Sequence, residues 1–259
     1  MDSPVQVVYL YGLPLARISQ SKTVEWVFER ISSGKGSWII TANIDHLQRY
    51  VSDKRIADLY KKADLIVADG VPILWATRIL GYPLIERVAG ADLVWSLTEQ
   101  AAYSGRSIYL LGGTPGTANK AVRCFCERWP ELRIAGTSDQ KFSSYPTIEE
   151  QNTLRIMLEA AKPDLIYVAL GSPKQEFVIA ALRPYFPNAT WMGVGISLNF
   201  VTGEIRRAPV WMQKVGLEWA HRMLQEPRRL VGRYLINNLP FTILLLVKSF
   251  CSRVMRLKY

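Results

Sequence analysis

One carboxylate stands apart among the groups of this 259-residue chain that could move a proton. Asp69 closes the apolar run Leu65-Ile66-Val67-Ala68 and precedes Gly70 and Pro72, so it should emerge at the carboxyl end of a strand where a helix begins. A carboxylate in that position can take a proton from an attacking alcohol, or it can cap the helix that follows; the local sequence allows both. Thr41 and Asn43 end another apolar run, residues 38–43, and offer a hydroxyl and an amide suited to sugar hydroxyls or, equally, to helix capping. Arg87 has donors for a phosphate, but Glu86 and Asp92 are near enough in sequence to pair with it instead. In Gly171-Ser172-Pro173-Lys174-Gln175-Glu176 a strand ends at a tight turn that opens a helix, so free N–H groups beside Lys174 and Gln175 favour an anion. Gly112-Gly113 ends a further strand, and Asp45, Asp92 and Asp139 are weaker carboxylate candidates.

Some chemistries lack their residues. The chain has two histidines, His46 and His221, and its three cysteines, Cys124, Cys126 and Cys251, lack zinc-site spacing. An Asp-x-Asp pair of the kind that holds a divalent ion on a nucleotide-sugar diphosphate does not occur, so no metal and no cofactor is expected. Neither a Walker A sequence nor Gly-x-Gly-x-x-Gly occurs; the stretch 112–116 reads Gly-Gly-Thr-Pro-Gly.

The elements that must position these groups follow from the hydrophobic pattern. Apolar runs at 5–9, 38–43, 65–69, 107–112, 132–135, 165–170 and 190–194 alternate with helical stretches. Runs without polar alternation are buried on both faces, which predicts an α/β fold: a Rossmann-like parallel sheet with helices on both faces. Ligands in such sheets gather where strands end. Thr114-Pro115 and Ser172-Pro173 read as helix caps followed by proline in the first helical position.

The net charge of +10 is concentrated at one end. Residues 1–205 carry 21 Lys+Arg against 20 Asp+Glu, whereas residues 206–259 carry 11 against 2. This predicts a catalytic domain over 1–205 and a basic, apolar, helical, membrane-docking appendage over 206–259. Within it, residues 239–247 are too short an apolar run to cross a bilayer, which takes about 20 residues. A helix beginning at Pro240 would gather Lys248, Ser249, Ser252, Arg253 and Arg256 on one side. Phe241, Leu244, Leu245, Phe250, Val254 and Leu257 would cover much of the rest. An anionic membrane surface is the expected partner; packing on the body or on a second subunit is the alternative. Nucleic acid is not expected, because the cations lie among aliphatic residues rather than stacking aromatics. An odd cysteine count and a start without signal-peptide character predict a cytoplasmic setting, peripheral on the inner face of the plasma membrane.

Several of these segments together resemble one family. Thr41-x-Asn43, Ala68-Asp69-Gly70, Glu86-Arg87-Val88 with Gly90 and Asp92-Leu93, the Gly112-Gly113 segment, Gly-Ser-Pro-Lys-Gln-Glu176, Arg207-Ala-Pro209 and Gly216-Leu-Glu-Trp219 are similar to the WecG/TagA/CpsF glycosyltransferases, glycosyltransferase family 26. The resemblance implies an inverting transfer of an N-acetylmannosamine-type sugar, its uronic acid or glucose. The donor would be a UDP-sugar and the acceptor a polyprenyl-diphosphate-linked sugar. It implies Asp69 as catalytic base, with Thr41, Asn43, Arg87 and Gln175 around the substrate, and Arg222, Arg229 and Arg233 meeting the diphosphates. Ala42 departs from the proline often found between the threonine and asparagine. A non-catalytic nucleotide-binding membrane adaptor is the competing expectation, and self-association is left open.

Overall fold

A computed structural model describes residues 5–256, the side chain of Arg256 excepted. Leu257, which the tail pattern included, lies outside the described residues, as does that side chain.

The chain opens with strands β1 (Val7–Leu10) and β2 (Leu13–Ala16), which pair antiparallel. Residues 5–9 were expected in the parallel sheet. Instead Tyr11 and Gly12, both at positive φ, reverse the chain in a two-residue turn, and the strand alternates exposed Val7 and Tyr9 with buried Val8 and Leu10. That period-two pattern marks a half-covered hairpin. Helix α1 (Gln20–Ser32) follows, capped by the Ser19 hydroxyl.

The main sheet contains β3 (Ser37–Ala42), β4 (Leu65–Ala68), β5 (Ser107–Gly112), β6 (Arg133–Ser138), β7 (Leu165–Ala169) and β8 (Thr190–Gly193). Its strands are all parallel, in the order β4-β3-β8-β7-β5-β6. Strands β3, β4, β5 and β7 are buried along their whole length, as their uninterrupted apolar runs require.

Between β3 and β4 lie α2 (Ile44–Ser52) and α3 (Lys54–Tyr60); between β4 and β5 lie α4 (Val71–Leu80) and α5 (Gly90–Tyr103). Then come α6 (Thr117–Arg128), α7 (Ile148–Ala161), α8 (Lys174–Leu182) and α9 (Ser197–Val201), each after its strand. One core holds Leu47, Ile73, Leu154 and Val178 from α2, α4, α7 and α8; the other holds Val27, Leu93, Ala118 and Leu198 from α1, α5, α6 and α9. The sheet is thus covered on both faces. Neighbouring strands β3 and β8, and β5 and β7, send their helices to opposite sides, which opens crevices at their carboxyl ends.

Two helix starts differ from expectation. Helix α6 begins at Thr117 after Gly116, because the Thr114 hydroxyl bonds Thr117 Oγ1 at 2.6 Å rather than capping a helix at Pro115. Helix α8 begins after Pro173, and the Ser172 hydroxyl accepts from Arg49 Nη1 at 3.0 Å instead of capping.

The remaining elements are α10 (Val210–Lys214), α11 (Glu218–Gln225), α12 (Pro227–Val231) and α13 (Leu239–Arg256). Residues Gly232–Asn238, between α12 and α13, are wound as a π-helix, so Pro227–Met255 is one helical rod of 29 residues. By length and hydropathy this rod suffices to cross a membrane, although the run 239–247 alone does not. Helix α13 nonetheless packs along α4: Leu245 and Ser249 are buried, and Arg253 Nη1 donates to Leu80 O at 3.3 Å. Its outer face is apolar, with Ile243, Leu244, Val247 and Phe250 exposed beside Lys248. The side chain expected on the polar side at Ser249 is therefore buried against the body, and the exposed face carries more hydrocarbon than the sequence pattern gave it.

Candidate active site

Asp69 emerges at the carboxyl end of β4 and is fixed from both sides. Its backbone N–H donates to Ala42 O at 2.8 Å, tying β4 to the end of β3, and its Oδ2 accepts from Gly90 N–H at 3.1 Å. It does not cap α4, whose N-cap is Gly70 without any side-chain hydrogen bond. The carboxylate lies instead at the start of α5, the other helix that begins near this sheet edge. Val88 N–H donates to Ala68 O at 2.9 Å and so brings that start to the strand end. Burial pushes the Asp69 carboxyl pKa above its ordinary value; Glu218 adds to the rise, while Arg87, the Gly90 N–H and Arg207 pull against it. A carboxylate held in this way is a better proton acceptor than an exposed aspartate.

Gly90 sits where no side chain fits. A Cβ there would lie 2.7 Å from Thr41 Oγ1, so the α5 terminus approaches β3 only because the residue is glycine. Thr41 is buried beneath it. Asn43 caps α2: its Oδ1 accepts from Asp45 N at 3.0 Å and His46 N at 3.2 Å, and lies 2.9 Å from His46 Nδ1.

Arg87 pairs with neither Glu86 nor Asp92. Its Nη1 donates to Glu218 Oε2 at 3.2 Å. Glu86 accepts from Gln20 N–H, and Asp92 accepts from Arg207 Nη1 and Nη2. Arg207 also reaches Glu218 Oε1 at 3.4 Å. Asp92, Arg207, Glu218 and Arg87 thus form one charge network across which the C-terminal segment closes on the sheet edge. Of the weaker carboxylates, Asp139 accepts from Gly116 N–H at 2.9 Å.

The other strand ends complete the edge. At Gly112, with φ +90, a Cβ would lie 2.8 Å from Ala169 O, and Gly113 N–H donates to that same carbonyl at 2.8 Å. Gly171 turns the chain out of β7. Lys174 Nζ donates to Phe142 O at 2.7 Å, so its ammonium is engaged within the protein. Gln175 is buried, with Oε1 accepting from Gly195 N–H at 3.0 Å and Nε2 donating to Glu176 Oε1 at 2.9 Å; its amide braces the end of β8.

Of the three arginines expected at a diphosphate, Arg233 reaches the helix that follows β3. From the π-wound turn its Nη2 donates to Asp45 Oδ2 at 2.8 Å, in the first turn of α2, and Arg49 shares that carboxylate oxygen. Arg222 lies over the Phe200 ring at 6.0 Å and near Glu226, and Arg229 pairs with Glu226 at 2.5 Å. Arg222 and Arg229 thus share Glu226 Oε2, while Arg233 is engaged at Asp45.

Sequence reasoning passed over His46 and Glu176. Glu176 is almost wholly buried, with Oε1 3.4 Å from His46 Nε2. Burial acts to raise its pKa, but His46 and the Gln175 amide outweigh it and leave the carboxyl below its usual range. The chain Asn43, His46, Glu176, Gln175, Gly195 thereby joins the ends of β3 and β8 through side chains. Glu176 closes the distinctive Gly-Ser-Pro-Lys-Gln-Glu segment, which was the available signal. Among the described residues no group of three or more His, Cys, Asp and Glu could hold a metal ion.

A parallel sheet with its polar groups gathered at the carboxyl strand ends places a ligand site at that edge. Residues 8–254 match the Glycosyl transferase WecG/TagA/CpsF family, and the chain belongs to that family of glycosyltransferases. It is 31% identical over 199 residues to an N-acetylglucosaminyldiphosphoundecaprenol N-acetyl-beta-D-mannosaminyltransferase of Bacillus spizizenii (strain ATCC 23059 / NRRL B-14472 / W23), spanning 77% of this chain and 75% of the relative.

Proposed function

We propose that this glycosyltransferase moves an N-acetylmannosamine-type sugar, its uronic acid or glucose from a UDP-sugar to a polyprenyl-diphosphate-linked sugar, with inversion and without a metal ion. The acceptor hydroxyl attacks the anomeric carbon, its proton passes to Asp69, and the bond to the diphosphate breaks so that UDP leaves with the electron pair. Asp69, held against the N-terminus of α5 with a raised pKa, is the observation that carries this reading. Arg87 supplies charge to the departing diphosphate once substrate competes with Glu218 for its guanidinium. Thr41, Asn43, Lys174, Gln175 and the glycines Gly112, Gly113 and Gly171 shape the pocket around the donor. The relative's name supports the class of acceptor and an N-acetylmannosamine-type sugar as the group transferred.

The exposed apolar face of α13, with its neighbouring cations, supports docking on the inner face of an anionic membrane, where a lipid-linked acceptor resides. Arg222, Arg229 and Arg233 then turn toward the diphosphates, and residues 206–259 act as an appendage to the catalytic domain 1–205.

Incubation with a panel of UDP-sugars, lipid-diphosphate-linked GlcNAc or glucose, and a chelator tests this. UDP release with a new β-linked disaccharide lipid is the expected result. No release with any donor would overturn it.

A further inference from the structure

We infer that the cleft between α4 and α10 binds the diphosphate and the first isoprene units of the lipid acceptor, an inference that rests on the transfer reading above. The cleft, about 410 Å3 in volume, lies between one face of α4, carrying Leu74, Trp75 and Arg78, and one face of α10, carrying Val210 and Lys214. Arg87 also lines it. The spacings 74, 75, 78 and 210, 214 put each set on a single side of its helix.

Two properties select the ligand. The first is charge: among the described residues three cations line the cleft and no carboxylate does. Arg87 is paired with Glu218 at 3.2 Å, whereas the side chains of Arg78 and Lys214 make no ion pair or hydrogen bond among the described residues. A diphosphate carries charge of the sign and size to occupy both free cations, which leaves Arg87 to the departing donor diphosphate. The second is hydrocarbon. Trp75 is 43% exposed and Val210 64% exposed, and with Leu74 they give the cationic cleft an apolar wall. Inorganic pyrophosphate has no use for that wall and a uracil base could stack only on Trp75, whereas a prenyl diphosphate covers the aliphatic Leu74 and Val210 as well.

Position gives the third argument. Helix α4 starts two residues after Asp69, and Arg87, in the lining, precedes Gly90, whose N–H donates to Asp69 Oδ2, so a diphosphate in the cleft has its attached sugar on the side of the proposed base. The same helix carries α13 packed along it, with the apolar outer face of α13 exposed. A chain leaving the cleft therefore starts beside the face proposed to meet the membrane.

The test uses the full chain, with farnesyl diphosphate and UDP as titrants, and compares the parent with Arg78→Gln/Lys214→Gln and with Trp75→Ala. In the double variant the Kd for farnesyl diphosphate should rise by about tenfold or more, as loss of charge-assisted hydrogen bonds gives, while the Kd for UDP stays within about twofold. The acceptor KM should rise in step, with the donor KM unchanged. Trp75→Ala should weaken farnesyl diphosphate but not inorganic pyrophosphate. Equal farnesyl diphosphate affinity in parent and double variant would overturn the assignment, and so would a matching loss of UDP affinity, which would give the cleft to the donor. A parent that binds farnesyl diphosphate through Arg78 and Lys214 yet transfers no sugar would uphold the cleft and reject the reaction.

Discussion

The guanidinium of Arg87, in the loop before α5, meets the carboxylate of Glu218, at the start of α11, at 3.2 Å. The contact spans 131 residues of sequence and ties the loop that leads to the Asp69 partner Gly90 to the C-terminal segment. If Arg87 neutralises the leaving diphosphate, Arg87→Ala should lower kcat by about 10²-fold or more, the scale for removing one preorganised donor. Arg87→Lys should recover only part, since an ammonium lacks the planar fork. Steady-state kinetics with saturating acceptor decides this.

Asp69→Asn should reduce kcat by about 10²- to 10⁴-fold while leaving donor affinity within about twofold by titration calorimetry. Because the Asp69 carboxyl pKa is raised, the base form is lost on acidification at a pH above the ordinary aspartate value of about 4. The rate should therefore fall on the acid side through that higher value. Glu218→Gln removes a charge that raises this pKa and frees two that lower it, so the acid limb should move to lower pH. A limb that stays in place in the variant would separate Glu218 from the base.

Gly90→Ala drives a methyl group against Thr41 Oγ1 and should cost about 1–3 kcal/mol of stability, measured by urea unfolding. Thr41→Ala made in the same chain should return most of that loss. Activity should not return with it, if the Thr41 hydroxyl serves the donor.

Glu176→Ala leaves His46 facing a void and should destabilise by about 3 kcal/mol, the cost of removing one partner of a buried pair. The folded-state pKa of Glu176 lies below its ordinary value, so its ionisation stabilises the fold above the unfolded glutamate value of about 4.3 and this contribution disappears as pH falls through the lower folded value. Glu176→Gln should flatten that part of the stability profile in denaturant titrations at a series of pH values.

Ile243→Ser/Val247→Ser/Phe250→Ser alters only exposed positions of α13 and should leave the melting temperature nearly unchanged. Its partition onto anionic vesicles, read by co-sedimentation, should fall by at least about tenfold, because each lost side chain removes apolar burial in the interface. Unaltered partition would place membrane attachment elsewhere on the chain.

The parallel strands were legible because burial on both faces demands unbroken apolar runs: the run 107–112 is β5 itself, and 38–43 and 65–69 overshoot β3 and β4 by one residue each. The hairpin was not, since residues 5–9 form a short apolar run like the others until the turn at Tyr11-Gly12 folds them back. Asp69 was legible as a strand-end carboxylate; whether it capped a helix or faced a site was not. That depends on Gly90, 21 residues later, whose approach to Thr41 is a matter of packing between β3 and α5. Likewise the sequence located the excess positive charge after residue 205 but could not say which cations it leaves free. Arg233 is committed to Asp45 and Arg229 to Glu226, while Arg78 and Lys214, distant in sequence, face one cleft. Residue type and period determine which segments become strands and which groups can ionise, since those depend on near neighbours. Which charge meets which is decided by contacts between residues far apart along the chain, and only the assembled sheet and its helices fix them.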